Sequence, residues 1–109
     1  MIYEYRKYIA TPGQFAKLNK MFAEPITELF ERHGMDVLAY WTPLVGGSSI
    51  SELHYMLKWP DMTTMQERWA SFYADPQWVE AAAEYQADGP LVAEVQNQIW
   101  TPTPYSPMP

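Results

Sequence analysis

The sequence predicts an α+β domain of element order βαββαβ, in which four antiparallel strands form one sheet and the helices cover one of its faces. Three observations lead there. Side-chain character alternates along Tyr3–Tyr8 and again along Glu52–Trp59, the period of a strand. Apolar residues recur at spacings of three and four from Phe15 to Leu29, the period of an amphipathic helix. Gly and Pro fall between these segments and separate them.

The first strand runs over residues 2–9, and Thr11-Pro12-Gly13 ends it and opens a helix. That helix places Phe15, Leu18, Phe22, Ile26 and Leu29 on one side. Pro25 should kink or split it near Ala23. Gly34 ends it as a left-handed cap, after Arg32 and His33 in the last turn, where cations suit the helix dipole. The second strand is Met35–Leu44, with Pro43 demoting its end to an edge or a bend. The turn Val45–Ser49 leads back into the third strand, Glu52–Trp59, so these two form a hairpin. Asp61 caps a helix through about Ala74, and Asp75-Pro76 restarts a helix that reaches Gly89-Pro90. Leu91–Trp100 is the fourth strand. The domain spans residues 1–101, and 102–109 form a proline-rich tail expected to be extended and irregular.

One domain of 109 residues can bury a real core without staples. No cysteine is present, which excludes disulfides, thiolate metal sites and cysteine nucleophiles. With no signal peptide and no apolar run of membrane-spanning length, a cytoplasmic protein without membrane insertion is expected. The net charge of −6 and the scattered Lys and Arg argue against nucleic acid as a partner. Five Trp and eight Tyr are many for so short a chain, and such residues suit pockets and subunit interfaces.

The first strand poses the main problem. Tyr3, Tyr5 and Lys7 share one face, and Glu4, Arg6 and Tyr8 share the other. Burying Glu4 and Arg6 under helices would be expensive. They are therefore assigned to the open face of the sheet, with Tyr3, Tyr5 and Ile9 under the helices. His54 and Met56 on the third strand, and Gln96, Gln98 and Trp100 on the fourth, join the open face. Such a surface is too apolar for water and too polar for a dry core. A second copy packed sheet to sheet, leaving a cavity between, would cover it.

Candidate chemistry centres on that cavity. His54 is the one histidine with a functional look, as a general base or a haem ligand, whereas His33 reads as a helix-end residue. Arg6 can anchor a carboxylate or enolate, with Glu4 setting its orientation and Tyr8 adding a hydroxyl. Arg6, Tyr8 and His54 are the catalytic candidates. Glu4, Met56 and at least one of Tyr40 and Trp41 complete the expected ligand-binding set. Parity and strand adjacency are expected to bring these side chains together. There is no metal triad at ligand spacing, no glycine-rich phosphate loop and no nucleophile elbow, so no cofactor is called for.

The stretches "YEYRKY" with the following "TPG", "AYWTPLVGG", "ELHYMLKWPDMTTMQER", "DPQW" and the last strand with its Pro-Ser-Pro tail stand in this order along nearly the whole chain. Together they resemble the NIPSNAP family, of the dimeric α/β-barrel group. The chain departs from the family pattern at Met65 and Gln66, where Arg-Glu is usual, at Gln96 for Glu and at Gln98 for Arg. The resemblance implies a ferredoxin-like protomer and a homodimer, and no single reaction. Two functions follow as expectations. One is a homodimeric module that binds a small apolar or aromatic molecule at the sheet–sheet interface, or another protein. The alternative is a cofactor-independent enzyme of monooxygenase, isomerase or decarboxylase type, acting on a small aromatic or polyketide-like substrate. The related barrels suggest this second class by fold analogy alone.

Overall fold

The computed structural model describes residues 1–48 and 50–108. Ser49, read above as part of the turn, and Pro109 of the tail lie outside the described residues. Strands β1 (Ile2–Ala10), β2 (Asp36–Trp41), β3 (Glu52–Trp59) and β4 (Val92–Trp100) form one antiparallel sheet in the order β2-β3-β1-β4. Helices α1 (Phe15–Met21), α2 (Thr27–Arg32), α3 (Met62–Ala74) and α4 (Pro76–Tyr85) supply the helical layer. This is the ferredoxin-like α+β architecture, with β1 and β3 central.

The first helical segment splits where proline demands it. Glu24, just before Pro25, leaves helical geometry at φ −160° and ψ 115°, because the proline ring crowds the preceding residue out of the α region. A wide helical turn over Phe22–Ile26 joins α1 to α2. Gly34 then takes φ 68°, the left-handed conformation expected of it. Strand β2 stops at Trp41, three residues short of the expected end. Past it, the Thr42 hydroxyl donates to the Glu52 carbonyl at 2.9 Å, and Pro43 has no N–H to extend the ladder.

Asp61 caps α3 by accepting from the Thr64 amide at 2.7 Å. Asp75 caps α4, which has proline at its first position. Asp75 also accepts from Arg32 and is 2.7 Å from His33 Nε2, while His33 Nδ1 lies 2.8 Å from the Ser71 hydroxyl. Hydrogen bonds from Arg32, then His33 and the Gln77 amide, hold the Asp75 carboxyl well below the usual carboxylate range. His33 is thus more than a helix-end cation. It ties the end of α2 to the α3–α4 junction.

The faces of β1 are the reverse of the expectation. Residues directly opposite in an antiparallel pair share a face. Glu4 lies opposite Leu57, Arg6 opposite Tyr55 and Tyr8 opposite Leu53, all three β3 partners being core residues. Glu4, Arg6 and Tyr8 therefore lie under the helices. Tyr3, Tyr5, Lys7 and Ile9 lie on the open face, with Glu52, His54, Met56 and Lys58. Tyr3 is still only 6% exposed, and shares a shallow pocket with Met56, Trp100 and the tail residues Pro102, Ser106 and Met108. The tail thus returns over its own sheet, while Tyr105 is 86% exposed.

Candidate functional site

The penalty for burying Glu4 and Arg6 is met by partners distant in sequence. Glu4 is 2% exposed. Its Oε1 accepts from the indole N–H groups of Trp59 at 3.0 Å and Trp69 at 2.8 Å. Its Oε2 accepts from Arg6 Nη1 at 3.1 Å and from Asn97 Nδ2 at 2.6 Å. A buried carboxylate with four donors and a paired cation is far less costly than a bare one.

Arg6 is held as firmly. Its guanidinium carbon lies 4.5 Å from the centroid of the Trp69 ring, and Nη2 donates to the Tyr8 hydroxyl at 3.2 Å. The Tyr8 oxygen also accepts from the Tyr55 hydroxyl at 2.9 Å. Arg6 Nε is a buried donor without an acceptor among the described residues. Burial alone would lower the guanidinium pKa, but Tyr55, Tyr8 and Glu4 outweigh it, so the group stays firmly cationic. Tyr55 is pushed well above its ordinary value, chiefly by burial and then by Tyr8. Tyr40 is pushed up to about 12 by the same two causes in the same order.

Arg6 and Tyr8 border a cavity of about 180 Å³ between the sheet and the helices. Phe22 and Ile26 from the turn between α1 and α2, Trp69 and Tyr73 from α3, and Trp78 from α4 wall it, with Val92 and Val95 of β4 at one side. Burial, then Tyr8, raises the pKa of Tyr73, and the positive charge of Arg6 opposes that rise.

The open face carries a separate cluster. The Tyr5 hydroxyl is 2.7 Å from His54 Nδ1, and His54 Nε2 is 3.0 Å from Glu52 Oε1. One tautomer, with its proton on Nε2, serves both contacts. Lys7 Nζ lies 3.5 Å from the same Glu52 oxygen. The His54 hydrogen bond is the main reason that the Glu52 carboxyl is held below its ordinary value. Tyr5 stacks on Trp100 with centroids 5.1 Å apart.

The expected convergence of Arg6, Tyr8, His54 and Met56 therefore does not occur. Arg6 and Tyr8, with Glu4 behind them, face the helices, and His54 and Met56 face the other way. Tyr40 packs on the helix side against Phe22 and Tyr55, whereas Trp41 lies opposite His54 and is 52% exposed. Trp59, Trp69, Asn97 and Tyr73 were not anticipated as site residues. A signal for two of them existed, since a buried indole N–H needs an acceptor and Glu4 supplies it. Among the described residues no group of three or more His, Cys, Asp or Glu is placed to hold a metal ion, and no helix is long and apolar enough to cross a membrane.

The fold has clear relatives. A NIPSNAP family protein of unknown function from Agrobacterium tumefaciens is 25% identical, with a TM-score of 0.81 over 98% of this chain and 92% of that one. A second NIPSNAP family protein from the same organism is 20% identical, with a TM-score of 0.85 over 99% and 98%. SnoaB, a cofactor-independent oxygenase from Streptomyces nogalater, is 14% identical, with a TM-score of 0.61 over 97% and 96%, a likeness of fold alone. No curated protein matches the sequence. The NIPSNAP family model matches residues 3–107, nearly the full chain, and the protein belongs to the NIPSNAP family.

Proposed function

We propose that this NIPSNAP protein is a homodimeric small-molecule-binding protein, whose ligand is a small aromatic compound held between the sheet and the helices. One observation carries the reading: a cavity of about 180 Å³ walled by aromatic rings with an arginine at its edge. An apolar cavity of about 150 Å³ is enough to admit benzene, and drug-sized ligands need about 300 Å³ or more. The volume therefore suits a single ring. The ligand site moves from the sheet–sheet interface expected above to the helix side of the sheet. The second copy keeps its place on the open face, where Trp41 and Trp100 are 52% and 42% exposed around Tyr5, His54 and Met56.

Binding is favoured over catalysis by the lining. Its titratable groups are Arg6, Tyr8 and Tyr73, with no carboxylate or imidazole among the residues that border it. General acid–base chemistry of the ordinary kind lacks its usual agents there. His54, the expected base, is across the sheet.

Filling the cavity tests this. Val92 borders it on β4, and Val92→Trp should occupy about half of its volume at an overpacking cost of about 1–3 kcal/mol. Toluene should bind the native protein at one site per chain by calorimetry and fail to bind a folded Val92→Trp variant. Equal binding to both proteins would refute the assignment.

A further inference from the structure

The charge balance around Arg6 selects among ligands, and we infer that the cavity takes an uncharged one-ring compound with a carbonyl oxygen, such as an aryl ketone or aldehyde, in preference to an aromatic carboxylate. The inference rests on reading that cavity as the ligand site.

An arginine at the edge of an aromatic cavity suggests at first an acid for a ligand. Glu4 changes the sum. Its carboxylate lies 3.1 Å from Arg6 Nη1 and is buried with it, so the pair is already neutral. The other three donors to Glu4, from Trp59, Trp69 and Asn97, are uncharged and add no positive charge. Among the described residues no second Lys, Arg or His borders the cavity. A carboxylate entering it would make Glu4, Arg6 and ligand a buried group of net charge −1. Taking a carboxylate out of water costs several kcal/mol unless a free cation meets it, and here the cation is shared.

A neutral acceptor avoids that cost and still meets donors. The Tyr8 oxygen accepts from Arg6 and from Tyr55, which leaves the Tyr8 hydroxyl proton to donate. Tyr73 brings a second hydroxyl to the lining of the same cavity, within the field of Arg6. Glu4, the one buried carboxylate nearby, is engaged by its four donors and does not border the cavity. The polar end of the cavity is therefore rich in donors, which suits a carbonyl oxygen. A bare hydrocarbon ring would leave these donors without an acceptor and should bind less well than a ring with a carbonyl.

Three one-ring probes separate the outcomes: acetophenone, benzoate and toluene, titrated into the full chain by calorimetry at pH 7. Acetophenone should bind at least about tenfold more tightly than either of the others. Tyr73→Phe should weaken acetophenone several-fold and leave toluene unchanged. Glu4→Gln removes the counter-charge and should shift the ratio toward benzoate. If Glu4→Gln does not fold, the native ratio and Tyr73→Phe decide the matter. Benzoate equal to or tighter than acetophenone on the native protein overturns the inference. So does toluene binding as well as acetophenone, although the cavity would then stand as a ring-binding site. Failure of all three probes to bind overturns both the inference and the function on which it rests.

Discussion

Glu4→Ala is expected to lower the unfolding free energy by about 3–5 kcal/mol, the range seen when one partner of a buried ion pair is removed. The loss has two parts. Arg6 keeps a buried charge without its counter-ion, and the indoles of Trp59 and Trp69 and the Asn97 amide lose their common acceptor. Arg6→Met should cost less, about 2 kcal/mol, because Glu4 retains three neutral donors and a linear apolar side chain still covers the Trp69 ring. Against a total stability of about 5–15 kcal/mol the first substitution is severe. Urea unfolding of both variants measures the difference. An Arg6→Met loss equal to or larger than that of Glu4→Ala would show that Glu4 is not the hub of the network.

The second large effect concerns association. Met56 sits near the middle of the open face, opposite Tyr5 on one side and Ala39 on the other. If a second copy covers this face, Met56→Lys places an unpaired charge in a buried interface and should weaken dimerisation by about 100-fold or more, equivalent to about 2.8 kcal/mol. The substitution leaves the helix-side core untouched, so the monomer should remain folded. Light scattering at micromolar concentration should report twice the chain mass for the native protein and the chain mass for the variant. A native monomer, or an undisturbed variant dimer, would remove the second copy from the open face.

Much of the architecture was legible because it depends on local chemistry. Alternation marked β1 and β3, Pro25 split the first helix, Asp61 and Asp75 capped α3 and α4, and Gly34 took the left-handed turn. The face of β1 was not legible, because it depends on contacts far apart in the chain. A carboxylate and a guanidinium two residues apart look costly to bury when only their neighbours are considered. Trp59, Trp69 and Asn97 lie 55, 65 and 93 residues from Glu4, and no local pattern couples them. Once β1 turns over, Arg6 and Tyr8 move away from His54, and the expected single site separates into a helix-side cavity and an open-face cluster. The indoles carried a usable hint, since a buried N–H requires an acceptor and this short chain has five tryptophans.

Five tryptophans also provide the most direct test of where a ligand binds. Trp69 and Trp78 border the cavity, whereas Trp41 and Trp100 lie on the open face. Nitrogen-15 spectra resolve indole N–H signals individually, so one titration with acetophenone reports on both sides of the sheet. Binding between sheet and helices should shift the Trp69 and Trp78 signals in a saturable way and leave Trp41 and Trp100 in place. Saturable shifts at Trp41 and Trp100, with Trp69 and Trp78 unmoved, would put the ligand on the open face and contradict the account.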